Sequence, residues 1–352
     1  MYPALAVIHA LGERADVLWV GGEGGMEEGL VRRAGVPFEA VPAAGIHGVG
    51  LRALPGNLIR LGRGVAAARR VMRRFRPEAL FFTGGYVGAP VALAGRGLPA
   101  AVYIPDIEPG LALRFLSLRA QVVAVTAEES RRYHAEGRRV VVTGYPTRPG
   151  LVALDRAAAR RSLGLELELP VLLVFGGSRG ARSINRGLWN CLPALLERAQ
   201  VVHLTGELDW PEVETRRAVI PAALAARYHA HGYLHEEMGA AYAAADLAVS
   251  RAGASVLGEL PLFGLPAVLV PYPHAWRYQK VNADYLAGRG AAVVLPDEDL
   301  PGRLGPTILA LLDDPGGLRA MAEASRRLAQ PGAAQAIAAE IMRLAAQGAR
   351  SR

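Results

Sequence analysis

A chain of 352 residues with 51% hydrophobic and 20% charged side chains is long enough to bury two ordinary cores and too apolar to be disordered. Its one cysteine, Cys191, can close no intramolecular disulfide, which fits a reducing compartment. No run of apolar residues is long enough for a membrane-spanning helix, and the N-terminal residues lack the pattern of a signal peptide. The formal charge of +8 rests almost wholly on arginine, Lys280 being the one lysine, and residues 1–148 hold 19 Arg against 12 Asp plus Glu. The dense run of Arg60, Arg63, Arg69, Arg70, Arg73, Arg74 and Arg76 suits either a solvated helix face or an anionic surface. No recognition module, zinc spacing or aromatic platform points to nucleic acid.

In chain order, short apolar runs alternate with longer Ala/Leu/Arg-rich stretches. Residues 17–21, 79–83, 100–104, 122–126 and 140–143 read as one series of strands, and 171–175, 200–205, 247–250, 267–271 and 292–295 as a second. The alternation predicts an α/β fold of two consecutive doubly wound, Rossmann-like units with parallel sheets. Pro146 and Pro149 lie between the two series and mark a hinge, which divides the chain into a domain of residues 1–148 and one of residues 149–330. After Pro331, the residues Ala336, Ile337, Ile341, Leu344 and Ala345 recur at helical spacing with no strand to follow, so a last helix over 331–352 is expected to pack back on the first domain.

Three strand ends in the second series carry chemistry. In the first, the apolar run from Leu172 leads into Gly176-Gly-Ser-Arg-Gly180 and a helix starting near Arg182. Glycines there let the backbone approach a ligand closely, and free N–H groups at the helix start favour a phosphate. No Gly-Lys-Ser/Thr follows, so this is not a P-loop. In the second, Ala245 to Glu259, a strand meets the small residues Gly253, Ala254 and Ser255 and then a helix. Glu259 lies one turn beyond Ser255, where a carboxylate suits a ribose diol or simply the helix dipole. In the third, His274, Arg277, Tyr278, Gln279 and Asn282 cluster after a strand end, on the edge where open α/β sheets take ligands. His229, His231 and His235 lack a matched carboxylate or cysteine set, so no metal site is predicted.

The run from Gly232 through Ser255, then Glu259, Gly264-Leu-Pro266 and Val270-Pro-Tyr-Pro-His274, resembles the C-terminal half of the MurG family. These GT-B enzymes of glycosyltransferase family 28 add GlcNAc from UDP-GlcNAc to lipid I, making lipid II for peptidoglycan. Gly176-Gly-Ser-Arg-Gly-Ala181 is similar to the family's Gly-Gly-Ser-Gln-Gly-Ala motif. Pro3-Ala-Leu-Ala-Val7, Trp19-Val-Gly21, Ala44-Gly-Ile46 and Thr83-Gly-Gly-Tyr-Val87 are similar to its N-terminal half.

The resemblance implies a GT-B fold in which two Rossmann-like domains face a central crevice, the first taking the acceptor and the membrane, the second the UDP-sugar. It assigns the turn of Gly177, Ser178 and Gly180 to the diphosphate, with Arg148 as a phosphate partner, and Gly253, Ala254 and Ser255 to a second phosphate position. Glu259 would hold the ribose hydroxyls, the backbone around Leu234 and His235 would pair with uracil, and Gln279 with Asn282 would read the sugar hydroxyls. It implies no cofactor and an inverting attack by the acceptor hydroxyl on the anomeric carbon. The enzyme would sit peripherally on the anionic cytoplasmic face of the cell membrane, which the arginine run and Leu51, Leu54, Leu58, Ile59 and Leu61 fit.

Three departures from the family pattern bear on the acceptor side and on the sugar contacts. The family's opening strand and Gly-Gly-Thr-Gly-Gly-His loop precede Pro-Ala-Leu-Ala-Val, whereas here the sequence reads Met1-Tyr-Pro-Ala-Leu5. The expectation is a first domain lacking a central strand, and a natural start upstream with Met1 standing for an internal GTG valine codon. Tyr103-Ile-Pro-Asp-Ile-Glu-Pro-Gly110 replaces the family's His-Glu-Gln-Asn, two residues and Pro-Gly, leaving Asp106 and Glu108 as candidate general bases or as caps of the helix near Pro109. Trp276-Arg-Tyr-Gln279 stands where Asp-Asp-His-Gln is common. Two other readings stay open: a GT-B paralogue with another lipid acceptor or a UDP-GlcNAc epimerase, and a non-catalytic UDP-sugar-binding subunit or inactive truncated form.

Overall fold

An apolar run such as Val-Leu-Leu-Val-Phe has no polar face to show to water, and it is satisfied in a parallel sheet covered on both sides. The computed structural model describes residues 1–25, 27–43, 54–151, 155–177, 180–235, 237–275 and 277–350, and it places these runs in two units. In the first, Met1–Pro149 with Pro331–Arg352, β1 (Trp19–Gly22) pairs with β2 (Phe38–Val41). There β3 (Leu80–Phe82), β4 (Ala100–Ile104), β5 (Val122–Val125) and β6 (Val140–Val142) form a separate sheet in that order. In the second, Gly150–Gln330, the strands are β7 (Val171–Phe175), β8 (Gln200–Leu204), β9 (Tyr228–His231), β10 (Leu247–Ser250), β11 (Ala267–Leu269) and β12 (Ala292–Val294). They form one sheet of order β12-β11-β10-β7-β8-β9, and all pairs in both units are parallel.

From β7 the chain lays down β8 and β9 on one side and then returns to add β10, β11 and β12 on the other. This is the 3-2-1-4-5-6 order of a doubly wound sheet, with its reversal point between β7 and β10. The helix Arg182–Leu196 closes one face of this sheet, burying Ile184, Leu188, Leu192, Leu195 and Leu196 with Leu172 and Val174 of β7. Each such side chain contributes about 1.5–3 kcal/mol relative to exposure, so the strand that carries the first glycine turn is firmly held.

In the first unit, among the described residues, β1 pairs only with β2 and β3 only with β4. A cavity of about 980 Å³ is lined by Val20 of β1, Phe81 of β3, Val7 and Leu11 of the helix Tyr2–Leu11, and Ile341 of the helix Ala333–Arg350. Where a doubly wound sheet is continuous, the two sheets here present free edges to this space. The helix Ala333–Arg350 packs on the helix Tyr2–Leu11 and on β4, and Glu340 pairs with Arg139 at 2.6 Å.

Two strands escape the apolar alternation. Both β2 and β9 are sheet edges and carry polar residues: Phe38-Glu-Ala-Val41 and Tyr228-His-Ala-His231. His229 and His231 therefore lie in an edge strand, half-buried, and burial lowers the pKa of each. The arginine run lies on the long helix Leu54–Phe75, where Arg60, Arg63, Arg69, Arg70, Arg73 and Arg74 are exposed, with Ile59 exposed near its start. Residues 44–53, including Leu51, lie outside the described residues, as do the side chains of Leu54 and Leu58. No helix among the described residues is long and apolar enough to cross a membrane.

Candidate functional site

Five strands of the second unit end in register. Leu269 pairs with Ser250, Ser250 with Phe175, Phe175 with Leu204 and Leu204 with His231. The segments leaving β11, β10, β7, β8 and β9 therefore start side by side at the carboxyl edge of the sheet, spanning the reversal point at which open α/β sheets bind ligands.

After β7 the backbone turns on glycine. Gly177 has φ +86° and Gly180 φ +76°, a region that a side chain penalises, and Gly180 N donates to Gly177 O at 3.0 Å. A Cβ on Gly180 would stand 2.3 Å from the Thr205 carbonyl oxygen, so the turn lies directly against the segment leaving β8. The helix Arg182–Leu196 begins immediately afterwards, and its first N–H groups have no carbonyl one turn back to bond. Ser178 lies outside the described residues.

The Thr205 carbonyl is itself fixed from behind. Asn185 Nδ2 donates to Thr205 O and to Asp209 Oδ2, each at 2.8 Å, and Asn185 Oδ1 lies 2.9 Å from His203 Nε2. His203 Nδ1 lies 2.8 Å from the Tyr228 hydroxyl, which accepts from Trp189 Nε1 at 3.1 Å. Arg182 closes the chain on Asp209 at 2.9 Å. With the Asn185 amide oriented by its two acceptors, the consistent assignment is a neutral His203 carrying its proton on Nε2. Burial pushes the His203 pKa down to about 3, in keeping with that neutral form.

After β10, Gly253, Ala254 and Ser255 are half-buried and precede the helix Val256–Phe263. A Cβ on Gly253 would meet nothing within 4 Å, so the turn leaves room beside its backbone. Glu259, 4% exposed, accepts a 2.8 Å hydrogen bond from the Tyr242 hydroxyl. Arg251, at the strand end, forms an ion pair with Asp297 and donates to Ser183 Oγ at 2.7 Å, with its guanidinium 5.1 Å from the Tyr272 ring centroid. Ser183 Oγ donates to Asp297 at 2.8 Å. This cluster ties the first turn of the helix after β7 to the ends of β10 and β12.

After β11, Gln279 Oε1 accepts from Tyr272 N at 2.9 Å, holding the segment that contains the exposed His274; Trp276 lies outside the described residues. Asn282 is fully buried and donates to Ala252 O at 3.0 Å, so it braces the β10 turn from inside the protein. Beyond β9, Leu234 is buried and His235 exposed, its ring edge-on to Tyr233 at 4.6 Å.

Gly177, Gly180, Leu234, His235, Gly253, Ala254, Ser255, Glu259, Gln279 and Asn282 thus all belong to the second unit and to segments that follow the carboxyl ends of its strands. Arg148, Asp106 and Glu108 belong to the first unit. Arg148 lies over the Tyr2 ring at 4.8 Å. Glu108 is 3% exposed and accepts from Arg114 at 3.0 Å, while Asp106 is half-buried. Tyr103 is buried with its hydroxyl 2.8 Å from Thr126 Oγ1, and burial raises its phenol well above the usual range, leaving it neutral. Asn185 and Asp297 lie outside the motifs of the sequence, and Arg251 and Tyr242, within the run from Gly232 to Ser255, take no role from it; only their three-dimensional partners mark them.

Two helix starts with small residues, one on each side of the reversal point, can take a diphosphate, and a carboxylate one turn into the second helix can take a diol. Comparison with known proteins identifies the family. Residues 1–125 match the glycosyltransferase family 28 N-terminal domain and residues 171–338 its C-terminal domain. The chain is 43% identical to the UDP-N-acetylglucosamine–N-acetylmuramyl-(pentapeptide) pyrophosphoryl-undecaprenol N-acetylglucosamine transferase of Roseiflexus sp. (strain RS-1), over 94% of the chain and 89% of the relative. It is 40% identical to the transferase of that name from Desulforudis audaxviator, over 94% and 91%. The crystal structure of Acinetobacter baumannii MurG superposes with a TM-score of 0.77 at 29% identity, covering 97% of this chain and 95% of that one.

Proposed function

Because the chain belongs to glycosyltransferase family 28 and has the two Rossmann-like units of the GT-B fold, we propose that it transfers GlcNAc from UDP-GlcNAc to lipid I, the undecaprenyl-pyrophosphoryl MurNAc-pentapeptide, forming lipid II. The observation that carries this reading is the in-register edge of the second unit, where two small-residue turns each open a helix beside the reversal point. In this reading the turns of Gly177 and Gly180 and of Gly253, Ala254 and Ser255 stabilise the charge that develops on the departing UDP. Glu259 takes the ribose hydroxyls, the backbone near Leu234 and His235 takes uracil, and Gln279 takes the sugar, with Asn282 bracing the turn.

The acceptor hydroxyl attacks the anomeric carbon from the face opposite UDP and loses its proton to a base. Asp106, half-buried, and Glu108, buried and paired with Arg114, are the candidates for that role. Docking on the anionic cytoplasmic leaflet is supported by the exposed arginines of the helix Leu54–Phe75 and by Leu111, Phe115 and Leu118, exposed on one face of the helix Leu111–Ser117 and its C-cap. Arg119 lies over the Phe115 ring at 5.2 Å, an arrangement that suits an interface of acyl chains and anionic headgroups.

The test is UDP release from UDP-GlcNAc with lipid I presented in vesicles. Release that requires lipid I, and that drops severalfold when anionic lipid is replaced by zwitterionic lipid or when salt is raised, is expected. Conversion of UDP-GlcNAc without acceptor would instead identify an epimerase, binding without turnover a non-catalytic subunit, and release indifferent to lipid charge and salt would remove the membrane part of the proposal.

A further inference from the structure

Tyr242 lies among alanines on the helix Met238–Ala244, which precedes β10, and the sequence assigns it no role. Its side chain is nevertheless fixed on three sides. The ring stacks on Phe263, at the end of the helix that carries Glu259, with centroids 5.3 Å apart and planes at 26°. It also meets Phe175, the last residue of β7 before the glycine turn, edge-on at 5.7 Å. The residue is 2% exposed, and its hydroxyl donates to Glu259 Oε2 at 2.8 Å. One aromatic side chain therefore joins the strand leading into the first turn, the helix leading out of the second, and the carboxylate between them.

We infer that Tyr242 is a positioning residue that orients the Glu259 carboxylate and so sets the preference of this site for a ribonucleotide over a 2′-deoxyribonucleotide. The inference rests on the assignment of Glu259 to the ribose hydroxyls. A carboxylate that is nearly all buried is confined in position by the backbone but can still rotate about its terminal bonds. A hydrogen bond from a phenol that is itself clamped by two rings fixes that rotation, and with it the direction in which the carboxylate meets a diol. Hydrogen bonds to charged groups are directional and strong enough to matter.

The discriminating quantity is the ratio of dissociation constants for 2′-deoxy-UDP and UDP, measured calorimetrically on the full chain. Replacing Tyr242→Phe removes one hydroxyl and keeps the ring. It should weaken UDP by about tenfold and leave 2′-deoxy-UDP nearly unchanged, so that the ratio falls by about tenfold. Glu259→Gln should bring the ratio close to one, and the double variant should match Glu259→Gln alone. Phe263→Leu, which loosens the stacking while keeping the phenol, should give a smaller fall in the ratio and so provides a second test if Tyr242→Phe folds poorly. A normal ratio in both Tyr242→Phe and Phe263→Leu, with loss only in Glu259→Gln, would overturn the inference. A normal ratio in Glu259→Gln would overturn the ribose assignment itself.

Discussion

Replacing Gly180→Ala should abolish measurable donor binding and lower the stability of the second unit by about 2–4 kcal/mol, an estimate that adds positive-φ strain to a backbone collision. The strain is shared with Gly177, whose φ is +86° against +76° at Gly180; the collision is not. A Cβ at Gly177 would meet nothing within 4 Å, whereas one at Gly180 would stand 2.3 Å from Thr205 O and 3.1 Å from Gly206 Cα. Thr205 O cannot retreat freely, because Asn185 Nδ2 holds it at 2.8 Å and Thr205 N bonds His231 O at 3.0 Å. Gly177→Ala should therefore cost only about 1 kcal/mol, the strain alone. Urea unfolding of the two variants, with UDP titration of each, checks the comparison; equal losses would mean that the packing of the turn against Thr205 is not what holds it.

The same brace should make the protein acid-sensitive through one histidine. Burial holds the His203 pKa at about 3 in the folded state, while an unfolded histidine titrates near 6.5. The folded pKa is depressed, so the unfolded chain binds the extra proton between these values. The stabilising effect of a neutral His203 is complete above about pH 6.5 and falls as pH drops towards 3. The full window is worth on the order of 4 kcal/mol, and the stretch from about pH 6.5 to 5, above most carboxylate titrations, on the order of 2 kcal/mol. His203→Gln removes this titration, so its unfolding free energy should be lower at neutral pH but much flatter between pH 6.5 and 5. Some slope should remain, because burial also lowers the pKa of His229 and His231. An unchanged slope in urea unfolding over that interval would place the acid sensitivity elsewhere.

Sequence periodicity reveals most of the buried strands because parallel strands covered on both faces must be apolar throughout. Val171–Phe175 and Val122–Val125 are legible for that reason, while the edges Phe38–Val41 and Tyr228–His231 are not. The glycine and small-residue turns are legible too, since positive φ at Gly177 and Gly180 leaves a mark in the residue type itself. What supports those turns is not. His203, Asn185 and Tyr228 lie on three separate elements, and each residue alone reads as a polar interruption of an apolar pattern; their meaning exists only in the hydrogen bonds that join them. Glu108 is similar: its position in the sequence suggests a base or a cap, and only the fold shows its ion pair with Arg114.

The cavity of the first unit belongs to neither class. Its walls, Val7, Leu11, Val20 and Phe81, are ordinary core residues, and the separation of β1–β2 from β3–β6 is a property of topology rather than of any one residue. Among the described residues, a cavity of this size beside two strand edges is open space lined by apolar groups, where a packed core would fill it. The intact six-stranded sheet of the second unit has no such gap, and it is there that the turns assigned to the donor are placed.

A crystal structure of the chain soaked with UDP-GlcNAc tests the donor site most directly. The expected result is a diphosphate within hydrogen-bond distance of the backbone N–H groups at the starts of the helices Arg182–Leu196 and Val256–Phe263, with the ribose hydroxyls on Glu259. Nucleotide bound away from the carboxyl edge of β7 and β10, or a ribose that leaves Glu259 untouched, would contradict it.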